Sequence, residues 1–340
     1  GLQNSAVAIG GNSPNVSCTE EYNGTIWAAG GAMIAGRSGQ AAAGTQTAAL
    51  AIQGTVAPAA STCTEEYTSY ISSGSFGTLS ATTLSGDGSK LTNSIPPNTV
   101  TSSAQIASDI SGSHTSGFTY TGTIGTTIGA WAVGGTALIA KTSVAGAGIQ
   151  NAALSIGGHP GPMSSVEHYN GSAWSTGGAL SIARRSSFGT GTEYAALAAG
   201  GEPGSKTSVE EYYGQTWATG GTLITGRFNA AGGGTQNAAV AASGRGGSPN
   251  LSCTEEYDGS SWSAGGALGT GRNYSAGAGT QNAGLVFGGS PSPYSATEEY
   301  NGSTWASGGN LATARDYISG AGTQNAGLAF GGLTPSLSGA

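Results

Sequence analysis

Charge is scarce in this chain: ten Lys and Arg and 17 Asp and Glu among 340 residues amount to 8% charged side chains, where about a quarter is usual. Its surface must therefore be covered mostly by Ser, Thr, Asn and backbone. A formal charge of −7 and a pI of 4.9 argue against a general binder of nucleic acid or anionic membrane. No apolar run approaches the roughly 18 residues of a membrane span, and no signal peptide is visible. Cysteine is limited to Cys18, Cys63 and Cys253, each lying just before Thr-Glu-Glu-Tyr in a different part of the chain. Copies so separated cannot meet the Cα spacing of roughly 4.4–6.8 Å that a disulfide needs, so three free thiols and no metal cluster are expected. The three histidines, His114, His159 and His168, form no convergent ligand set, and no cofactor is expected. Asp87-Gly88 and Asp258-Gly259 lack the regular acidic spacing of a calcium loop and read as turns.

Glycine, by contrast, is abundant, with 63 residues, and the aromatics are periodic. All six tryptophans, Trp27, Trp131, Trp174, Trp217, Trp262 and Trp305, occupy one position of a repeated unit. Their intervals are 104, 43, 43, 45 and 43 residues. A period in the forties with four short β-like runs marks a propeller blade. One well-preserved copy runs from Tyr274 to Gly309 and carries four strands, here called a to d in chain order. Thr280-Gln-Asn and Asn301-Gly-Ser are tight turn signals that close hairpins. Innermost strands must be small, as in Ser275-Ala-Gly-Ala-Gly279, whereas large rings belong on c and d, where the wedge widens. The tyrosine of strand c (Tyr22, Tyr67, Tyr169, Tyr212, Tyr257, Tyr300) and the tryptophan of strand d are expected to form the core between blades, because a blade cannot bury its own faces.

A strand ending in Gly-Gly (Gly10-Gly11, Gly157-Gly158, Gly200-Gly201, Gly288-Gly289, Gly331-Gly332), a Glu-Tyr strand, a tryptophan and a basic residue opening the next unit together resemble the kelch repeat family. The resemblance covers nearly everything outside residues 68–127. It implies a β-propeller and leaves function open, since that scaffold hosts many activities. Copper oxidases sharing it use axial Tyr and His ligands, and no such set is present here. Gln53-Gly54 and Ser243-Gly244 depart from the double glycine, which predicts distorted b–c corners in the second and fifth units. Strand counting predicts an all-β, six-bladed kelch-like propeller of four-stranded antiparallel blades, closed by N- and C-terminal strands. The final a strand falls at about 316–321, and one b strand is surplus: Gly1–Gly11 and Gly322–Gly332 compete for one place. The glycine start without methionine fits processing or truncation of a longer product.

Three parts follow: residues 1–67, the first part of the propeller; 68–127, an insertion in the second blade; and 128–340, the remainder. The insertion is rich in Ser and Thr, and Ile106 and Ile110 lie one helical turn apart, consistent with a short helix. It resembles segments of structural and tail-fibre-like proteins of tailed bacteriophages, notably of marine viruses. That resemblance implies a virion component, with residues 68–127 anchoring it to other virion subunits or assisting oligomerisation.

Ten residues after each tryptophan stands a basic residue: Arg37, Lys141, Arg184, Arg227, Arg272 and Arg315. One reading is a cationic ring at a channel mouth that binds an anion; the other is a set of braces, each bonding loop carbonyls or a glutamate of its own blade. The Glu-Glu pairs (such as Glu20-Glu21 and Glu298-Glu299) recur in five units and face opposite sides of their strand, which argues for structure over catalysis. The b–c loops vary most, and their His159, Lys206, Arg245 and Tyr294 are the side chains best suited to bind a sugar or protein surface. The functional expectation is a non-enzymatic virion appendage module that recognises a host-surface glycan or protein through its b–c and d–a loops. The alternatives are a purely architectural virion protein and a carbohydrate-active enzyme using a non-repeated carboxylate such as Glu193 or Glu202.

Overall fold

The computed structural model describes residues 15–68, 129–291 and 295–334. Their strands form six four-stranded antiparallel sheets and one short ribbon, Thr55–Val56 with Ala59–Ala60. Blade 2 takes Ala41–Gly44, Ala48–Ile52, Thr64–Thr68 and Ala130–Val133 as strands a to d. Blade 3 takes Ala145–Ile149, Ala152–Ile156, Val166–Tyr169 and Trp174–Thr176; blade 4 takes Phe188–Gly191, Ala195–Ala199, Val209–Tyr213 and Trp217–Thr219. Blade 5 consists of Ala231–Thr235, Ala238–Ala242, Thr254–Tyr257 and Trp262–Ala264, and blade 6 of Ala276–Thr280, Ala283–Phe287, Thr297–Tyr300 and Trp305–Ser307.

Blade 1 closes the ring. Its a and b strands, Ser319–Thr323 and Ala326–Phe330, come from the C-terminal side, and its c and d strands, Thr19–Tyr22 and Trp27–Ala29, from the N-terminal side. The closing register pairs Thr19 with Phe330 and Glu21 with Leu328. The C-terminal b strand thus takes the contested place, and strand a begins at Ser319, three residues later than expected. Gly1–Gly11 lies outside the described residues, as do the insertion after Thr68 and its expected helix. Consecutive a strands lie side by side around the whole circuit, with the blade 1 strand against both blade 6 and blade 2. The result is a six-bladed β-propeller.

Packing between blades explains the aromatic register. Each tryptophan is cross-strand partner to the tyrosine of its own blade, as in Tyr22 with Trp27 and Tyr257 with Trp262, with ring centroids 4.7–5.0 Å apart. The indole then meets strand b of the preceding blade: Trp27 lies 4.9 Å from Phe287 and Trp131 lies 5.0 Å from Phe330. Five of the six indoles are buried, and Trp305 is partly so. Four of the six N–H groups reach the threonine that opens strand c next door, as Trp27 does to Thr297 and Trp174 to Thr64, while Trp217, which faces Val166 instead, donates to the Gly178 carbonyl. Where Val209 replaces that threonine, the Trp262 N–H has no partner.

The expected distortion at two b–c corners is absent. Gln53 (φ 57) and Ser243 (φ 63) adopt the same left-handed backbone as Gly157 (φ 63) and Gly288 (φ 67). Side-chain bonds hold them there: Gln53 Nε2 donates to the Ile139 carbonyl, Ser155 donates to Gln53 Oε1, and the Ser243 and Ser275 hydroxyls bond each other. Hydrogen bonding thus offsets the roughly 1–2 kcal/mol that an L-residue loses in this region. A second glycine requirement follows strand d, where a Cβ on Gly178 would sit 1.8 Å from the Gln215 carbonyl oxygen of the next blade.

Candidate functional site

The basic residues of the repeat do not face the channel. Arg37, Lys141, Arg184, Arg227 and Arg315 are fully buried and Arg272 nearly so, because each crosses its own blade to the first glutamate of strand c. Arg184 shows the pattern: Nη1 donates to the Gly200 and Ser208 carbonyls at 2.9 Å, and Nη2 to Glu210 Oε1 at 2.7 Å. Glu210 also accepts the Ser181 and Ile182 amides of the incoming d–a connection. Arg37–Glu65, Arg227–Glu255, Arg272–Glu298 and Arg315–Glu20 repeat the arrangement. Bracing is therefore the geometry found, and the cationic-ring reading is corrected: a guanidinium forked onto buried carbonyls and a carboxylate has no face left for a solvent anion. Lys141 lacks the fork. It lies 3.0 Å from Glu167 and bonds no carbonyl, and burial lowers its pKa.

The second glutamate of each pair points the other way and accepts the tyrosine hydroxyl of the following blade. Tyr67–Glu21, Tyr169–Glu66, Tyr257–Glu211, Tyr300–Glu256 and Tyr22–Glu299 latch five of the six interfaces. Burial, then the carboxylate hydrogen bond, pushes Tyr257 and Tyr300 up to about 12. At these five interfaces a glutamine from the a–b turn supplements the latch, as Gln236 Nε2 does by donating to the Tyr212 and Ala196 carbonyls. The interface between blades 3 and 4 differs. His168 replaces the glutamate and Glu193 replaces the glutamine, and the imidazole bridges Glu193 (2.9 Å) and the Tyr212 hydroxyl (2.7 Å). This cluster superficially suggests acid–base chemistry. Burial raises the Tyr212 pKa, the reverse of what an activated nucleophile or base needs.

The b–c and d–a connections share one face. His159 and Arg245 are exposed there and Lys206 is partly exposed; Tyr294 lies outside the described residues. His159 joins a small charged group in which Arg185 donates to Glu202 at 2.9 Å and approaches His159 Nδ1 at 3.1 Å. Arg245 folds back to the Gly247 carbonyl. The structure thus joins His159 to Arg185 and Glu202, and shows no contact linking it to Arg245 or Lys206.

Sequence reasoning overlooked the rim of the channel. Gly39, Ser143, Ser186, Asn229, Tyr274 and Tyr317 each stand two residues after a basic residue, all with left-handed φ between 49 and 60°. Their backbones form a belt: the Ser143 amide donates to Gly39, Ser186 to Ser143, and Asn229 to Ser186. They border an axial cavity of about 110 Å³. Tyr274 and Tyr317 stack across its edge with centroids 3.7 Å apart, and burial followed by a hydrogen bond with Tyr274 raises the Tyr317 pKa. The signal was present as a register position whose residue varies from unit to unit. A second axial cavity, about 170 Å³, opens at the a–b turn end. It is lined almost wholly by Gly and Ala, and its one hydroxyl, Thr190, is engaged by the Gly234 carbonyl.

Among the described residues no group of acidic, His or Cys side chains is arranged to hold a metal ion, and Cys18, Cys63 and Cys253 are free. Asp258 shapes a c–d turn by accepting the Ser260 and Ser261 amides. No protein-family profile matches the chain, and no curated protein matches it.

Proposed function

We propose that this protein is a non-enzymatic recognition module: a kelch-like propeller carried on a virion appendage of a tailed bacteriophage, meeting a host-surface glycan or protein through its b–c and d–a loops. The observation that carries the reading is where the repeat stops repeating. Braces, latches and tryptophans are nearly identical around the ring, whereas the loop face carries different side chains on equivalent backbone: Gly39, Ser143, Ser186, Asn229, Tyr274 and Tyr317 at the rim, and His159, Arg185, Glu202 and Arg245 around it. A rigid frame with diversified corners is the usual construction of a binding surface. The two carboxylates weighed as catalytic support this choice, since Glu193 is engaged by His168 and Glu202 by Arg185. Kelch character rests on the corner, Glu-Tyr, tryptophan and arginine register. The virion context rests on the resemblance of residues 68–127, which would join the propeller to other virion subunits.

The test is competition. Purified chain added to host cells is expected to reduce adsorption of the corresponding phage and to bind isolated cell envelopes. Absence of both would refute recognition and leave the architectural alternative, in which subunit contacts bury the loop face.

A further inference from the structure

The rim of the channel is built against the preference of its own backbone. Gly39 and Asn229 are residue types that accept a left-handed φ readily. Tyr274 (φ 54) and Tyr317 (φ 49) are bulky residues for which it is a strained conformation, and both occur at adjacent places and stack. Each ring is only partly buried, and their mutual stacking, worth about 0.5–1.5 kcal/mol, does not exceed the roughly 1–2 kcal/mol that each residue loses in this backbone region. Strain retained at a cavity edge is a pointer to a ligand.

An independent observation lies inside. Gln40 is 6% exposed and lines the same cavity. Its Nε2 donates to the Phe330 carbonyl at 3.1 Å, while its Oε1 has no partner. At the equivalent places Val144 and Ile318 show that the fold needs no carboxamide there. The Gln40 oxygen is shut off from the cavity itself, and the polar side chains of the lining that remain accessible include Ser143 and Asn229.

We propose that this mouth is a subsite for a single neutral pyranose ring, the terminal residue of a glycan, and in this it rests on the recognition function proposed above. Tyr274 and Tyr317 supply electron-rich aromatic faces for the weakly positive C–H face of a sugar. Ser143 and Asn229, partly exposed in the lining, supply the convergent hydrogen bonds that fix its orientation. No Lys or Arg lines the cavity, so a carboxylated sugar finds no counter-charge. A volume of about 110 Å³, against roughly 300–1,000 Å³ for drug-sized ligands, limits the occupant to one ring.

Saturation-transfer NMR on the full chain with the methyl β-glycosides of glucose, galactose and N-acetylglucosamine, and with N-acetylneuraminic acid as the charged control, tests this. Tyr317→Gly and Tyr274→Gly place the preferred residue at a left-handed φ, so both variants are expected to fold, which circular dichroism verifies. At least one neutral glycoside is expected to bind wild type, with affinity lowered about tenfold in Tyr317→Gly and lowered also in Asn229→Gly, and the acid is expected not to bind. Failure of every neutral glycoside, or equal binding by the variants, overturns the subsite. Envelope binding separates the two claims. Unchanged envelope affinity in Tyr317→Gly removes the subsite and leaves recognition standing, whereas glycoside binding at the rim without envelope binding does the reverse.

Discussion

Replacing Arg184 with methionine isolates the energetics of one brace. The side chain is fully buried, and its loss removes three bonds of 2.7–2.9 Å, to Gly200, Ser208 and Glu210. Glu210, whose side chain is 2% exposed, then keeps only the Ser181 and Ile182 amides for a full negative charge. Removing one partner of a buried pair costs about 3–5 kcal/mol, chiefly because the other charge is stranded. At about 2 °C per kcal/mol for a protein of this size, the unfolding midpoint should fall by about 6–10 °C. Adding Glu210→Gln removes the stranded charge, and its single Oε1 can keep one of the two connection amides, which bond different oxygens of Glu210. The double variant should therefore be more stable than Arg184→Met alone. Scanning calorimetry of the wild type, both single variants and the double variant gives the coupling directly. A midpoint change under about 2 °C in Arg184→Met, or a double variant less stable than that single, would refute the claim that the pair is a buried, mutually dependent brace.

Three further outcomes are expected. Lys141→Arg should stabilise the protein by about 1–2 kcal/mol by supplying the missing fork to strand-end carbonyls; burial lowers the native Lys141 pKa, so wild-type stability at this group rises with pH up to its ordinary value of 10.5, and the arginine variant should lack that rise. At the odd interface, His168→Glu alone sets a carboxylate against Glu193 and should cost about 1–3 kcal/mol, whereas His168→Glu with Glu193→Gln recreates the standard latch and should recover most of it in chemical denaturation. Alkaline pH should weaken the ring: an unfolded tyrosine ionises near 10 and Tyr257 and Tyr300 near 12, so their contribution is complete below pH 10 and is lost as pH rises through about 12. A stability curve flat over that interval, or one unaltered by Tyr300→Phe, would count against the latch.

Architecture was legible because it is written six times. A tryptophan every 43 to 45 residues outside the insertion, a tyrosine opposite it and small residues on strand a leave few ways to bury the aromatic faces, and the stacked wedge is the one adopted. The braces were only half legible. Their spacing was evident in Arg37 through Arg315, yet a basic residue ten places after a tryptophan is equally compatible with a charged mouth. What decides between the two is the position of the first glutamate of strand c across the blade, 26 to 28 residues further along the chain or, for Arg315, near its opposite end at Glu20. The corners at Gln53 and Ser243 were misjudged because a sequence displays the absent glycine and conceals the hydrogen bonds that replace it.

The chain by itself determined the blade, its number of copies and the contents of the interfaces, because those depend on contacts repeated within one unit or between neighbours. Only ring closure decided the channel rim, the surface proposed for recognition. Gly39 and Tyr317 are 278 residues apart in sequence and adjacent at the rim, where the Gly39 amide meets the Tyr317 carbonyl, and Gln40 borders the same cavity although it belongs to a different blade from both tyrosines. A local pattern fixes which backbone conformation each of these residues takes. Their convergence on one axis is a property of all six blades together, set by the angle at which each wedge leans on the next.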